Sequence, residues 1–384
     1  MTYAEALARL LALRGGEHAG MRPGLARIRT LLEALGNPEA RYTLVQVGGT
    51  NGKGSAAAML AAILRAAGRR VGLYTSPHLV SFRERIRVDG EAIAEDDVAD
   101  GFDAIATLVA RLDATMFEAT TALALDHFAR EAVDVAVLEV GLGGRLDATT
   151  VGVPAVTVIS RIDLDHQAVL GSTLDAIARE KAAIIRAGVA VAAAQAPEAA
   201  AVLAARAAET GVPLLMEGRE LSVRVTARDL DGQTLDLAGP GWRLDAARIA
   251  LLGTFQPSNA LLAAAAARAL GVALPAVRAG LASARWPGRF EVLRDGDRHV
   301  VLDGAHNPRA AAPDALRPYV PAGPERVETA PSAAAALALA DQPPRTPVLC
   351  VAGSLSLIGD VVRHLAGDTP CPIEKPAASM RRPS

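Results

Sequence analysis

Short apolar runs rich in β-branched residues alternate along the chain with longer alanine-rich stretches. The runs predict strands at 42–47, 71–74, 133–140 and 156–160. The stretches predict an amphipathic helix at 1–13 and further helices at 56–67, 95–112 and 115–131. Helices separate the strands, and two of the strands are apolar enough to be buried on both faces. The pattern therefore predicts an α/β fold with a mostly parallel sheet.

The pattern changes in the second half of the chain. Val223 to Arg243 consists of short segments broken by Asp-Gly and Gly-Pro-Gly, which predicts a small β meander. A helix is expected at 259–270 and a last strand at 347–352. Trp286-Pro287-Gly288 is the best candidate for a domain boundary. It divides the chain into a larger domain at 1–288 and a smaller α/β domain at 289–384.

Composition and charge exclude several classes of protein. The 384 residues are 51% hydrophobic, with 40 Lys plus Arg against 42 Asp plus Glu. General disorder is excluded, and neither nucleic acid nor a membrane surface is an expected partner. No apolar run reaches the roughly 18 residues of a membrane span. Because Cys350 and Cys371 cannot form a disulfide framework, a cytoplasmic location is predicted.

A glycine-rich segment between the first predicted strand and its helix carries the strongest chemical signal. It consists of Gly49, Thr50, Asn51, Gly52, Lys53, Gly54 and Ser55. Glycines let a phosphate chain approach the backbone, the helix N-terminus offers N–H groups, and Lys53 supplies a cation. The segment departs from G-x-x-x-x-G-K-[ST], since Val47 holds the first glycine position and the hydroxyl moves to Ser55. It predicts a phosphate-binding loop (P-loop); the alternative is a βα turn with a solvated lysine.

Acidic residues and a histidine follow two further predicted strands. Glu139 ends the strand at 133–140, while Asp163, Asp165 and His166 follow the strand at 156–160. Ligands of open parallel sheets bind at the carboxyl ends of strands. Glu139 is therefore expected to hold Mg²⁺ against the phosphates, and the second group is a candidate for another metal site. The alternatives are a solvent-facing glutamate and a helix cap.

Lys181 lies on the apolar side of a predicted helix that begins near Ser172 and can end at Gly188. The apolar positions of that helix are Leu174, Ile177, Ala178, Ile184 and Ile185. Burying an unpaired ammonium group there would cost several kcal/mol. One interpretation is a buried stem with a solvated amine. The other is a functional lysine that is paired, neutralised or converted by CO₂ to a carbamate.

Three more segments follow strand ends or begin helices. Thr115-Met116-Phe117-Glu118 has capping-box spacing, which explains it without any functional role. Ser76-Pro77-His78 follows the strand at 71–74, and Asp303 to Pro308 follows an apolar run at 300–302. Both of the latter lie where a parallel sheet presents ligands.

These motifs together resemble folylpolyglutamate synthase, including its bacterial bifunctional form with dihydrofolate synthase activity. The matching segments are GTNGKGS at 49–55, TSPHL at 75–79, MFEATTALALDHF at 116–128, LEVGLGGRLDAT at 138–149, DLDH at 163–166, LGSTLDAIAREKAAII at 170–185, QPSNA at 256–260, WPGRFEVL at 286–293 and DGAHNP at 303–308. The related Mur ligases share the GTNGK loop but do not usually carry LGGRLDAT together with WPGRFE. The resemblance implies a P-loop N-terminal domain followed by a Rossmann-like C-terminal domain.

The resemblance also implies an ATP-dependent amide ligase that joins L-glutamate to dihydropteroate or a reduced folate through an acyl phosphate. Two Mg²⁺ sites are implied, with Ser76 and Glu139 at one, His166 at the other, and Lys181 as a carbamate. Asn259, Arg289 and Asp303 would contact ATP, and His306 would lie near the transferred phosphate as a catalytic residue beside Lys53 and Lys181. The implied pterin site is formed by Thr115, Met116, Phe117, Glu118, Leu146, Asp147 and Ala148, with help from Gly24 to Arg27. A monomer is expected.

The chain departs from the family pattern at several positions. Phe255 and Thr150 stand where the family usually has histidine and asparagine, and Ala183 stands where it has glycine. The stretch from Pro308 to Val348 is Pro-rich and shorter than usual, which predicts a shortened C-terminal domain. The alternatives are a paralogue that binds ATP or folate without ligation, and a Mur-like ligase.

Overall fold

The computed structural model describes residues 1–13, 24–295, 298–304, 348–352, 358–359 and 361–362. Its centre is an eight-stranded sheet. The strands are β1 (Thr43–Gly48), β2 (Val71–Tyr74), β3 (Ile86–Val88), β4 (Glu91–Ala92), β5 (Val135–Glu139), β6 (Pro154–Ile159), β7 (Val189–Ala192) and β8 (Leu214–Met216). Their order across the sheet is β4-β3-β2-β5-β1-β6-β7-β8, and the six strands from β2 to β8 in that order are parallel. The predicted mostly parallel α/β fold is confirmed.

Helices cover both faces of this sheet. They are α1 (Tyr3–Ala12), α2 (Ala26–Ala34), α3 (Lys53–Ala66), α4 (Glu95–Leu112), α5 (Met116–Arg130), α6 (Gln167–Leu170), α7 (Leu174–Ala182), α8 (Pro197–Thr210), α9 (Gln256–Ala269) and α10 (Leu274–Ser283). One core joins α3, α9 and α10 to one face of the sheet. Two others join α1, α2, α4 and α5, and α7 and α8, to the opposite face. None of the described helices is long and apolar enough to cross a membrane.

Local sequence signals explain where several helices begin and end. Thr2 and Glu5 form a capping box at the start of α1, and Thr115 and Glu118 form the predicted one at the start of α5. Gly68 follows α3 with a φ of +77°, a conformation that favours glycine, so it ends the helix as predicted.

The helix that carries Lys181 is shorter than predicted. It begins after Thr173, whose hydroxyl accepts a hydrogen bond from the Ala176 N–H, and it ends at Ala182 rather than near Gly188. Side chains explain the early end, because Thr157 donates to the carbonyl of Ile184 and Arg206 donates to that of Ile185. These bonds replace the main-chain partners that a further helical turn would supply.

Two smaller sheets complete the fold. The first is an antiparallel meander of β9 (Ser222–Asp229), β10 (Gly232–Gly239) and β11 (Trp242–Ile249), as predicted, and it packs on α9 and α10. The second joins β12 (Glu291–Asp295), β13 (Arg298–Asp303) and β14 (Val348–Ala352), with β13 and β14 parallel. Phe290 and Val301 pack on Leu252, which connects the second sheet to the rest of the molecule.

Candidate active site

The glycine-rich loop lies between β1 and α3, as the sequence predicts. Gly49 and Gly52 have φ angles of +127° and +93°, which L side chains rarely adopt. A Cβ atom on Gly49 would lie 2.1 Å from the Ser160 hydroxyl oxygen, so the chain at this point has no room for a side chain. Gly52 is the N-cap residue of α3 and no side chain caps the helix. The helix N-terminus therefore faces the loop, which is the arrangement that binds phosphate.

Neighbouring elements fix this loop in place. The Thr50 hydroxyl accepts from the Asp163 N–H at 3.0 Å, and the Thr50 N–H donates to the Arg161 carbonyl at 2.9 Å. On the other side, Gln256 donates to the Ser55 hydroxyl at 3.2 Å, and Asn259 is buried against Gly52. The loop is thus held by the segment after β6 and by the first turn of α9, and Asn259 lies directly against the N-cap residue of α3.

Lys53 is the cation of the loop. Its Nζ donates a 3.1 Å hydrogen bond to the Thr50 carbonyl. Burial raises the pKa of Glu139, and the positive charge of Lys53 lowers it. For Lys181, burial lowers the pKa and the charge of Lys53 lowers it further. Lys53 is therefore close enough to both residues to affect their ionisation.

Glu139 is a buried carboxylate at the end of β5, beside the loop. Its Oε2 accepts a 3.1 Å hydrogen bond from the Ser76 N–H, so the two predicted metal ligands are neighbours. Burial raises the pKa of Glu139, while Lys53, Arg289 and Arg85 oppose the shift. A buried carboxylate with a serine as its neighbour suits Mg²⁺, which prefers oxygen ligands.

Lys181 is buried, with 4% of its surface exposed, so the apolar position predicted from the sequence is confirmed. Its Nζ donates a 2.7 Å hydrogen bond to the Gly49 carbonyl. Burial, followed by the charge of Lys53, lowers the pKa of Lys181 to about 7. The interpretation of a solvated amine on a buried stem is wrong.

His166 lies apart from the buried groups. Its side chain is 55% exposed, and its Nε2 is 3.8 Å from a carboxylate oxygen of Asp165. Across the described residues, no three His, Cys, Asp or Glu side chains come close enough to hold a metal by themselves. The side chains that the chain offers would bind Mg²⁺ together with phosphate oxygens and water, as is usual for nucleotide-bound Mg²⁺.

The residues expected at the pterin site surround the start of α5. Glu118 accepts from the Thr115 N–H at 2.8 Å and from the Thr115 hydroxyl at 3.0 Å, and it is paired with Arg27 at 3.0 Å. Phe117 packs on Tyr74 with ring centroids 5.9 Å apart. A Cβ atom on Gly141 would lie 2.6 Å from the Phe117 ring, so the ring packs directly on the Gly141 backbone. Phe117 thus connects α5 to the loop that follows β5.

Asp147 organises that loop from within. Its carboxylate accepts from the N–H groups of Gly141 and Leu142, both at 3.0 Å. It also accepts from the N–H of Thr149 at 2.9 Å and from the Thr149 hydroxyl at 2.6 Å. These bonds fix the backbone on both sides of Asp147, where Leu146 and Ala148 lie.

A buried polar network supports the same loop, and the sequence analysis missed it. Gln46 of β1 donates to the hydroxyls of Thr149 at 3.2 Å and Thr150 at 2.7 Å. Arg186 donates to the Gln46 side-chain oxygen at 3.2 Å. The available signal was a glutamine in the middle of an apolar strand, which requires buried partners.

Residues of the C-terminal part are described incompletely. Arg289 donates to the Gly304 carbonyl at 3.1 Å, and its positive charge opposes the rise in the pKa of Glu139. Asp303 ends β13, but its side chain lies outside the described residues, as does all of His306.

Met116, also expected at the pterin site, is buried at the first position of α5.

Comparison with protein families supplies the deciding observation. The family model for the Mur ligase middle domain matches residues 47–267. The folylpolyglutamate synthase of Lacticaseibacillus casei is 40% identical over 306 residues, which cover 73% of this chain and 69% of the relative. The chain belongs to the folylpolyglutamate synthase family of Mur ligases. The dihydrofolate synthase/folylpolyglutamate synthase of Bacillus subtilis is 37% identical over 303 residues, covering 75% of this chain and 70% of that protein.

Family members differ in length and have been solved with ligands. The chain spans 38% of a probable bifunctional folylpolyglutamate synthase/dihydropteroate synthase of Haloferax volcanii, at 41% identity. A family structure described as a complex with AMPPCP and folate matches with a TM-score of 0.83 and 33% identity, covering 95% of this chain and all of that one. The family is thus supported by relatives that cover about three quarters of the chain.

Proposed function

We propose that this protein is an ATP-dependent ligase that joins L-glutamate to the carboxyl group of dihydropteroate, of a reduced folate, or of both. The observation that carries the proposal is the convergence of Lys53, Glu139 and Lys181 on one phosphate loop. The names of the bacterial relatives and the AMPPCP-folate complex of a family member support it.

The chemistry divides into two steps. A substrate carboxylate oxygen attacks the γ-phosphorus of ATP, which forms an acyl phosphate and releases ADP. The amino group of glutamate then attacks the acyl carbon and loses a proton, and the tetrahedral intermediate expels phosphate to leave the amide. Lys53 and the N-terminus of α3 hold the phosphates and offset the charge that develops on them.

Residues around the loop would complete the nucleotide site. Asn259 and Arg289 bind ATP in this proposal, and Asp303 and His306 act from the C-terminal part. Ser76 and Glu139 would hold one Mg²⁺ and His166 the other, and each bound Mg²⁺ would supply positive charge that polarises the phosphoryl oxygens.

We infer that Lys181 acts as a carbamate. CO₂ reacts with a neutral amine, forming an N–C bond and releasing a proton, so the reaction needs a deprotonated lysine. The pKa of Lys181 is lowered to about 7 by burial, which makes that form abundant at neutral pH. A carbamate at this position would place negative charge beside Gly49 and Lys53, where a metal ion can use it.

The pterin-bearing substrate is expected between the start of α5 and the loop at 146–148. Phe117 offers an aromatic face there, and the network around Asp147 fixes the loop. Closure of a C-terminal domain at 289–384 over a domain at 1–288 would exclude water, which otherwise hydrolyses the acyl phosphate. We expect a cytoplasmic monomer.

The test is ADP release with dihydropteroate or tetrahydrofolate, each with and without glutamate. We expect release that requires both the pterin substrate and glutamate, with a product heavier by one glutamyl residue. Nucleotide binding without release would favour a non-ligating paralogue. Release only with a cell-wall precursor would favour a Mur-like ligase.

A further inference from the structure

The segment that connects β2 to β3 contains a carboxylate, Glu84, that the proposed chemistry does not use. Glu84 accepts three backbone N–H groups: Leu79 at 2.9 Å, Val80 at 2.9 Å and Ser81 at 2.7 Å. The Ser81 bond belongs to the capping box of a 3₁₀ turn at Phe82–Arg85. The bonds to Leu79 and Val80 lie outside that turn, so Glu84 does more than cap it.

The adjacent residue fixes the other half of the same loop. The Nε of buried Arg85 donates to the Nδ1 of His78 at 2.9 Å, and the Arg85 carbonyl accepts from the Thr75 N–H at 3.0 Å. Residues 75–81 are therefore tied to residues 84 and 85 at several points. We refer to residues 76–81 as the β2–β3 loop.

One end of the β2–β3 loop contacts the metal-binding carboxylate. The Ser76 N–H donates to the Glu139 Oε2 at 3.1 Å. Any shift of the loop backbone would move this N–H and the Ser76 hydroxyl relative to Glu139.

Leu79, further along the loop, contacts both the predicted domain boundary and the chain beyond it. A Cβ atom on Gly288 would lie 3.1 Å from a methyl carbon of Leu79, so Leu79 packs closely on Gly288. A Cβ on Gly359 would lie 2.1 Å from the Leu79 carbonyl oxygen, so the backbone at Gly359 rests directly on the loop. The chain beyond the predicted boundary thus docks on Leu79, in the same loop whose Ser76 contacts Glu139.

We propose that Glu84 is a positioning residue that makes the β2–β3 loop rigid enough to link docking at Leu79 with the geometry of Ser76 and Glu139. Three N–H groups on one carboxylate hold consecutive backbone units in one arrangement. A shift of the backbone at Leu79 would then also move Ser76 relative to Glu139. The inference rests on the proposed function only in assigning Mg²⁺–nucleotide binding to Glu139 and Ser76.

Glu84→Gln tests this with a small change in shape. The carboxylate accepts with both oxygens, so an amide must turn an N–H₂ group toward at least one backbone donor. The readout is affinity for the ATP analogue AMPPCP as Mg²⁺ is titrated, together with thermal unfolding. We expect the Mg²⁺ concentration at half of the affinity gain to rise about tenfold, whereas the metal-free affinity stays unchanged. Glu84→Asp should give an intermediate shift, and exposed Glu91→Gln is the matched control.

Gly359→Ala tests the contact at Leu79. The added methyl group must displace the Leu79 carbonyl, so the same direction of Mg²⁺ shift is expected without any change at Glu84. A Glu84→Gln protein with lower thermal stability but the wild-type Mg²⁺ titration would overturn the proposal and leave Glu84 as a structural cap. So would a Gly359→Ala protein with an unaltered titration. A wild-type protein that binds Mg²⁺–AMPPCP but does not ligate would contradict the proposed function alone, since these readouts need no turnover.

Discussion

The Nζ of Lys181 donates a 2.7 Å hydrogen bond to the carbonyl of Gly49, although the two residues are 132 positions apart in the chain. This bond joins α7 to the phosphate loop. Because Nζ is buried and its pKa is lowered to about 7, the amine can be neutral and still donate the bond. The lysine is therefore able to react with CO₂ while it remains in place.

The lowered pKa of Lys181 predicts how stability depends on pH. Between about 7 and 10.5, the unfolded chain binds a proton that the folded chain does not, so the free energy of unfolding should rise with pH in that window. Lys181→Met removes this dependence. In CO₂-free buffer we expect it to raise the free energy of unfolding by about 4 kcal/mol at pH 7, with the difference nearly disappearing at pH 10.5. Urea unfolding across the pH range measures it; a parallel pH profile for both proteins would contradict the burial argument.

Activity should respond to Lys181 in the opposite way. Lys181→Ala is expected to lose most turnover while it keeps its fold, because the negative charge of the carbamate is missing. Added acetate or formate should restore part of the activity by occupying the vacated space. Steady-state ADP release and circular dichroism measure the two properties. Turnover by Lys181→Ala at the wild-type rate would rule out the carbamate.

Lys53→Ala should abolish ligation, with a loss of at least about 100-fold, and weaken ATP binding, since it removes the cation that faces the phosphates. Arg65→Ala, in the last turn of the same helix, is the control and should behave as wild type. ADP release and nucleotide titration provide the data. Unchanged turnover in Lys53→Ala would eliminate the phosphate-loop assignment.

Asp147→Asn should disturb the loop at 141–149. Both carboxylate oxygens of Asp147 accept hydrogen bonds from the loop, whereas asparagine has only one side-chain oxygen. We expect a loss of about 2 kcal/mol in stability and a higher KM for the pterin substrate, with the KM for ATP unchanged. Asp175→Asn, on the exposed surface of α7, is the control. Equal changes in both KM values would argue that the loop does not belong to the pterin site.

The sequence predicted the elements whose signals are local. The strands β1, β5 and β6 form apolar runs with several β-branched residues, and α5 begins with a capping box, so the positions of these elements followed from pattern alone. In contrast, β7 is Val-Ala-Val-Ala, which is too short and too rich in alanine to distinguish from a helix. The early end of α7 depends on Thr157 and Arg206, which are distant in sequence from that helix end.

The same distinction holds at the site. The apolar position of Lys181 was predictable because helical spacing places it among apolar residues, whereas the burial of its amine was not. Its bond to Gly49 was not predictable either, nor were the contacts of Gln46 with Thr150 and Arg186, since these depend on how distant segments pack. The contact between Leu79 and Gly359 belongs to the same class.

The most direct test of the proposed reaction follows oxygen from the substrate carboxyl group. The substrate is labelled with ¹⁸O in its carboxyl group, and the phosphate released during ligation is analysed by mass. When the amine attacks an acyl phosphate, the C–O bond breaks and one carboxyl oxygen leaves with the phosphate. We predict one labelled oxygen in each phosphate released with the amide product. Amide formation accompanied by unlabelled phosphate would contradict the account.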